Sequence, residues 1–430
     1  MKKKYRIILY TSIFLLCVVA SIILVVKKSN SVYEEESKPK VVKHKSMLSM
    51  NLEQTAGSGD YKTVTQSSWP TEGYKFNAEL SRCENGSTLS WDDTKKAVIV
   101  SGNLSDKCYV YFDIYQPTLA EYIKSQYTGT QGENNIYYHD SDLANGAGDN
   151  SYRYAGANPN NFVCFGSDTS PCPTDNLYRI IGVFGENYHG VTGKQLVKLI
   201  KYDYMTTDEL GTDGDYSQTY KEWGMDNTYK GTYGDGERIG VYYWNYKATG
   251  SATNTWSTSL LNKTNLNTNF INNIGTTWAN KIATVTWKVG GNTWANIGTK
   301  TSSVAYTNEI TNPVTTNTTD NATTYSAKIG LMYVSDYGFA ASPDAWTLTM
   351  SSYNNTTATN NNWMYMGLYE WTISRNADGS DGAFLVDRDG GVGDYGFVSD
   401  SIGVRASFNL ESSVSYVSGS GSMSDPIVIN

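Results

Sequence analysis

Residues Ile7 to Val26 form one uninterrupted apolar run, and nothing in the 404 residues after it matches that length without charge. Twenty residues rising about 1.5 Å each span roughly 30 Å, the thickness of a bilayer core. The run predicts a single transmembrane helix with one large polar portion behind it. Lys2, Lys3, Lys4 and Arg6 precede it, as in a signal sequence. Cleavable signals have shorter apolar cores, of about 7–15 residues, so the expectation is an uncleaved signal-anchor. Leu16 is too bulky for the position before a lipid-modified cysteine, which leaves Cys17 as a cysteine within an apolar helix. The flanking charge does not orient the segment, because Lys27, Lys28, Lys38, Lys40, Lys43 and Lys45 follow it closely.

The cysteines supply the orientation. Cys83, Cys108, Cys164 and Cys172 remain beyond the apolar run. An even number in local pairs points to disulfides and an oxidising, external compartment. Three pairings are possible, and Cys83–Cys108 with Cys164–Cys172 is the expected one, since each pair brackets a short segment. Reduced, buried cysteines are the competing reading. The expected localisation is therefore the cell membrane, single-pass through residues 7–26, with the C-terminal portion extracellular.

Net charge excludes one partner class. The chain carries 34 basic and 42 acidic residues, a net of −8. Setting aside the six basic residues through Lys28 leaves 28 against 42, or −14. Phosphate binding needs clustered Lys and Arg, so nucleic acid is not an expected partner. The 34 Tyr and 11 Trp can fill packed cores, and Tyr also suits exposed binding surfaces.

Residues 1–28 read as a cytoplasmic tip and signal-anchor helix. Residues 29–70, poor in apolar groups, read as a disordered stalk. Residues 71–116 form a small β unit: Ala97-Val98-Ile99-Val100 and Cys108-Tyr109-Val110-Tyr111-Phe112 are strand-like, with turns at Asn85-Gly86 and Asp92-Asp93. Residues 117–160 are a connector of one helix and a loop, the helix starting at the capping-box pair Thr118 and Glu121. Residues 161–430 are the main domain. Within it, Leu177–Phe184 is a predicted strand with Gln195–Ile200 as hairpin partner, and Ala327–Val334 a buried strand. Residues 251–280 are 18 of 30 Ser, Thr or Asn, which suggests a linker. The four-residue spacing of Phe270, Ile274, Trp278 and Ile282 instead predicts one face of a helix that needs tertiary packing.

Two blocks carry a family likeness. The first is Asn161-Phe162-Val163-Cys164-Phe165-Gly166-Ser167-Asp168 with Cys172-Pro173 and Asn176-Leu177-Tyr178-Arg179-Ile180-Ile181-Gly182-Val183-Phe184. The second is Ala327-Lys328-Ile329-Gly330-Leu331-Met332-Tyr333-Val334-Ser335, then Tyr369-Glu370-Trp371-Thr372-Ile373-Ser374-Arg375, then Gly403-Val404-Arg405-Ala406-Ser407-Phe408-Asn409-Leu410. Over roughly 160–430 the chain resembles an uncharacterised family of Gram-positive (gut Firmicutes-type) surface proteins. Their C-terminal part is similar to the C-type-lectin-like fold of formylglycine-generating-enzyme-like domains. The resemblance implies an α+β domain whose loops present a variable surface. The enzymatic branch of that fold uses cysteines, and this chain has none after Cys172, so its chemistry does not carry over.

No catalytic group stands out. His139 and His189 read as surface or structural residues rather than members of a triad. No phosphate-binding Gly-rich loop ends in Gly-Lys-Ser/Thr. The aromatic run offers Tyr365 and Tyr369 as surface ligand-binding residues, with Trp363 and Asn361 beside them. Core packing is the competing role for Trp363 and the expected one for Trp371. Calcium is the one candidate metal, through Asp378, Asp381, Asp387 and Asp389, with Asp394 nearby, because hard oxygen ligands suit it. The competing reading is a β-hairpin, Ala383–Val386 followed by the turn Asp389-Gly390-Gly391. Arg405 is expected to be a buried structural arginine. The resulting expectation is a non-catalytic, membrane-anchored surface protein that binds a glycan or a host or partner protein. A structural cell-envelope display protein and a glycan or peptidoglycan hydrolase are the alternatives.

Overall fold

The computed structural model describes residues 48–65, 68–70, 73–103, 105–220, 229–234, 238–313 and 322–430, the side chains of 356, 357, 394 and 395 excepted. The chain divides after Gln116 into two units.

The described part of the first unit contains strands β1 (Leu48–Glu53), β2 (Tyr61–Val64), β3 (Tyr74–Cys83), β4 (Thr88–Asp92), β5 (Ala97–Ser101) and β6 (Cys108–Ile114). Four of them form a sheet in the order β2-β1-β6-β3, and β4 and β5 make a separate hairpin. The segment read from composition as stalk thus holds two strands. Met50 and Leu52 alternate along β1 and reach Val110 and Phe112 through a parallel pairing with β6. That partner is some sixty residues away, so local composition could not reveal it. Among the described residues the buried core cluster is Met50, Leu52, Val110 and Phe112, with partly buried side chains packed around it. Cys83 and Cys108 are directly opposite each other on β3 and β6 and are bonded as a disulfide.

The second unit begins at Pro117. The segment read as connector belongs to its folded body. Thr118 accepts from the Glu121 amide, and the Glu121 side chain accepts from the Thr118 amide, so the helix Leu119–Ser125 opens with the predicted capping box. The strands are β7 (Ile136–His139), β8 (Ser151–Tyr154), β9 (Phe162–Cys164), β10 (Leu177–Phe184), β11 (Leu196–Lys201), β12 (Tyr216–Thr219), β13 (Gly240–Tyr242), β14 (Val285–Lys288), β15 (Gly291–Asn292), β16 (Thr324–Ala327), β17 (Ile329–Gly330), β18 (Glu370–Asn376), β19 (Gly382–Val386), β20 (Val392–Phe397), β21 (Ile402–Gly403), β22 (Ser407–Asn409), β23 (Tyr416–Ser418) and β24 (Val428–Ile429).

One seven-stranded sheet runs β17-β22-β11-β10-β8-β7, with β9 also on β10. The second runs β12-β13-β21-β18-β19-β20, with β15 on β18. The β10–β11 hairpin is antiparallel, Phe184 opposite Leu196, as the apolar runs predicted. Both strands are buried along their whole length, which explains why neither shows polar alternation. Cys164 and Cys172 are bonded beside β9.

These observations correct the expected fold class. The chain is mostly β with few helices, 22% helical and 33% strand, rather than an α+β, C-type-lectin-like domain behind a transmembrane helix. The expected helix is present over Leu261–Phe270 and Ile271–Ala279, kinked at Gly275 (φ 76°); Phe270 and Trp278 are buried on it, Ile274 is half-buried, and Ile282 lies beyond its end, bridged to Leu410. The strand expected over Ala327–Val334 also breaks up: β16 and β17 are short, and Val334–Ala340 is helical. Residues 7–26 lie outside the described residues. No helix among the described residues is long and apolar enough to cross a membrane, which leaves the expected single-pass membrane localisation without support. The two disulfides remain, and they accord with an extracellular or secreted setting.

A buried ionic cluster ties the first sheet of the second unit to the helix Val334–Ala340. The Lys198 Nζ on β11 lies 2.7 Å from the Asp336 Oδ2. Tyr188 donates to the Asp336 Oδ1 at 2.6 Å, and the Tyr333 amide donates to Oδ2 at 3.0 Å. Arg153 on β8 sits between Asp149 at 2.9 Å and Asp336 at 3.7 Å. Burial lowers the Lys198 pKa, and the Asp336 carboxylate opposes that shift.

Candidate functional site

The second sheet places its chemistry at one edge. Glu370 at the start of β18 pairs with Val386 at the end of β19 and with Gly403 at the end of β21, while Tyr242 ending β13 pairs with Ile402. The residues just beyond these strand ends therefore converge: Tyr243 after β13, Tyr369 before β18, Asp387 and Asp389 after β19, and Asp400 before β21. They line a cleft of about 750 Å³, together with Gln218 and Tyr220 at the end of β12. That size falls within the range of small-molecule sites, roughly 300–1,000 Å³.

The turn after β19 is built by backbone bonds. The Gly390 amide donates to the Asp387 carbonyl at 2.8 Å, and the Asp387 amide to the Gly391 carbonyl at 2.7 Å. The predicted hairpin and its turn at Asp389-Gly390-Gly391 are thus present. Burial, and then the Asp389 charge, raise the Asp387 carboxyl to about 6. Burial also raises Asp400, opposed by the Phe397 amide that donates to it at 2.9 Å. The cleft combines the rings of Tyr243 and Tyr369, the buried Tyr220 in its wall and Arg388 with carboxyl groups, one of which burial raises to about 6.

Asp387 makes a pH prediction. A carboxyl whose pKa is about 6 when folded and about 3.9 when unfolded binds more protons in the native state between those values. Native stability then falls as pH rises through the window from about 4 to 6. Asp387→Asn is expected to remove that dependence and to raise the thermal midpoint above pH 6. Melting curves of both proteins from acid to neutral pH check this, and parallel profiles would refute it.

The candidate ligand residues separate. Tyr369 lines the cleft. Trp363 and Tyr365 do not belong to it: they are 3% and 5% exposed. The Trp363 indole donates to the Tyr154 carbonyl at 2.8 Å and carries the Arg179 guanidinium 4.6 Å from its ring centroid. The Tyr365 hydroxyl donates to the Arg388 carbonyl at 2.5 Å. Asn361 is half-buried in the segment that pairs with Ala341 and Ser342 and is not a cleft residue. The expected exposure of Tyr365 is therefore corrected, and Trp363 packs inside as its competing reading held.

The calcium set separates too. Asp387 and Asp389 follow β19, whereas Asp378 and Asp381 precede it. Five extended residues hold the two pairs roughly 17 Å apart, too far for shared ligation. The Asp378 carboxylate accepts from the Trp294 amide at 3.0 Å. The Asp394 side chain lies outside the described residues. Among the described residues no group of three or more His, Cys, Asp or Glu could hold a metal ion. His139 and His189 are buried, at 0% and 1% exposure, and burial lowers both pKa values. The surface alternative for them is corrected, and neither lines the cleft. Arg405 is buried as expected, donating to Glu370 at 2.9 and 2.8 Å.

Tyr220 and Tyr243 were missed from the sequence. Each follows a short strand whose neighbours are not legible, and nothing in the local sequence marks either position.

No protein-family model, curated protein or solved structure matches this chain. The resemblance drawn from the two sequence blocks therefore has no independent support, and the site rests on its own geometry.

Proposed function

We propose that this chain is a non-catalytic binding protein that recognises a glycan in the cleft beside β18 and β19. The supporting observation is the meeting of Tyr243 and Tyr369 with Asp387, Asp389 and Asp400 in one open cleft, with the buried Tyr220 as part of its wall. Tyrosine rings offer flat apolar faces to the C–H faces of sugars at low entropic cost. Carboxylates, Gln218 and the hydroxyls of Ser399 and Ser401 accept or donate to sugar hydroxyls, and such polar groups fix orientation. The acidic balance of the chain favours neutral or cationic sugars over sulfated ones.

The test is a glycan array probed with the full chain, followed by titration of any hit. Tyr369→Ala is expected to weaken binding about tenfold or more, the loss of roughly 1.4 kcal/mol of contact. Retention of no glycan, or binding untouched by both Tyr369→Ala and Asp389→Ala, defeats the proposal. Cleavage of a bound glycan, abolished by Asp387→Asn, would replace it with the hydrolase reading.

A further inference from the structure

Arg375 is the penultimate residue of β18, at the opposite end of the strand from Tyr369. It is 1% exposed, and none of its three guanidinium nitrogens has a hydrogen-bond partner among the described residues. No described acidic side chain pairs with it. The other buried guanidinium groups of this unit are held: Arg153 by Asp149, Arg179 by the Asn161 side chain at 2.7 Å, and Arg405 by Glu370. A buried charge without a partner is strongly unfavourable, and proteins pair such charges or ligate them. Burial with no counter-charge accordingly lowers the Arg375 pKa.

Space is set aside around this group. Gly291, opposite Arg375 in the β15–β18 pairing, has no side chain to fill it. A Cβ there would lie 2.7 Å from the guanidinium carbon and 2.8 Å from one terminal nitrogen. Arg375 lines a small pocket with Asn254 and Trp256. The Trp256 indole N–H is a second buried donor without a partner. Asn254 is locked by its amide nitrogen, which donates to the carbonyls of Asn376, Gly379 and Gly382 at 2.6, 3.0 and 2.9 Å. The pocket holds about 10 Å³, the room of about one water-sized sphere. Half-buried Ser257 and exposed Thr324 also line it, which gives a ligand a way in.

We propose that this pocket binds a halide ion, chloride under ordinary conditions, held by the Arg375 guanidinium and the Trp256 indole N–H. A cation and a neutral donor with no acceptor partner call for an anion, and a space of about one water-sized sphere favours a monatomic one over phosphate or a carboxylate. The unpartnered Asn254 Oδ1 is the one lining group that favours water instead. The site is separate from the glycan cleft and independent of that reading.

The experiment follows thermal stability of the full chain as chloride replaces gluconate at constant ionic strength. A ligand that binds only the native state raises the midpoint as its concentration rises. The expected result is a midpoint that climbs with chloride and with bromide. Trp256→Phe should shift the chloride dependence to about tenfold higher concentration, since one hydrogen bond to a charged group is lost. Arg375→Met should abolish the dependence while melting higher than the parent in gluconate, because the unpaired charge is gone. Bromide-soaked crystals should show an anomalous peak within hydrogen-bond reach of the guanidinium. A parent without chloride dependence, a dependence unchanged in both variants, or a peak absent from the pocket overturns the proposal in favour of water alone.

Discussion

Asp336→Ala is expected to lower the stability of the second unit by about 3–5 kcal/mol. The carboxylate accepts from Lys198, Tyr188 and the Tyr333 amide, and it lies beside Arg153. Lys198 and Arg153 are 0% and 1% exposed, so neither can turn to water when the carboxylate goes. What the variant loses is therefore less the attraction of the pair than the shelter of two buried cations. The Tyr333 amide, at the start of the helix Val334–Ala340, loses its cap in the same step, worth about 1 kcal/mol. Denaturant unfolding of the parent and the variant, read by hydrogen exchange at β10 and β11, measures the difference. A loss below about 1 kcal/mol, the value of an exposed pair, would show that this cluster is solvated. The double variant Lys198→Met with Asp336→Leu is expected to recover part of the loss, since no lysine is stranded.

Cys83→Ser is expected to cost the first unit about 3 kcal/mol, enough to leave it largely unfolded at 37 °C. The bond closes a loop of 25 residues between β3 and β6, and closing such a loop removes roughly that much from the unfolded chain's entropy. Among its described residues the unit has little else to rely on. Its core cluster is four apolar side chains, with Trp69, Phe76 and Trp91 packed around Phe112. Small units with cores of this size commonly need a covalent staple. Limited proteolysis is the readout: rapid cleavage within residues 73–114 of the variant, with the second unit intact, is the expected pattern. Equal resistance in the parent and the variant would mean that the sheet β2-β1-β6-β3 holds without its disulfide.

The cleft beside β18 and β19 is partly legible in the sequence. Tyr369 is legible as a ligand residue, while Asp387 and Asp389 stand out only as calcium candidates, because aromatic and carboxylate residues beside turns are recognisable in a sequence. Trp363 and Tyr365, drawn from the same aromatic run, pack inside. Whether a tyrosine in that run faces water depends on what lies across from it. For Trp363 that is Tyr154 and Arg179, both distant in the chain. The calcium set failed for a related reason: four aspartates within twelve residues look clustered until a strand is drawn between the pairs.

What the sequence determined by itself was local. The Thr118–Glu121 capping box, the β10–β11 hairpin, the turn at Asp389-Gly390-Gly391 and both disulfide pairings depend on residue types at short spacing. Strand period, turn chemistry and capping act over a few residues, and nearby cysteines meet readily. Only the tertiary structure decided the rest. It turned the composition of residues 48–64 into two strands and joined Lys198 to Asp336 across 138 residues. It brought Tyr220, Tyr243 and Tyr369 to one edge, and it buried Arg375 without a partner. Each of these outcomes depends on which distant segment covers a given side chain. Burial sets the value of every charge and hydrogen bond, and neighbouring residues in the chain do not reveal it.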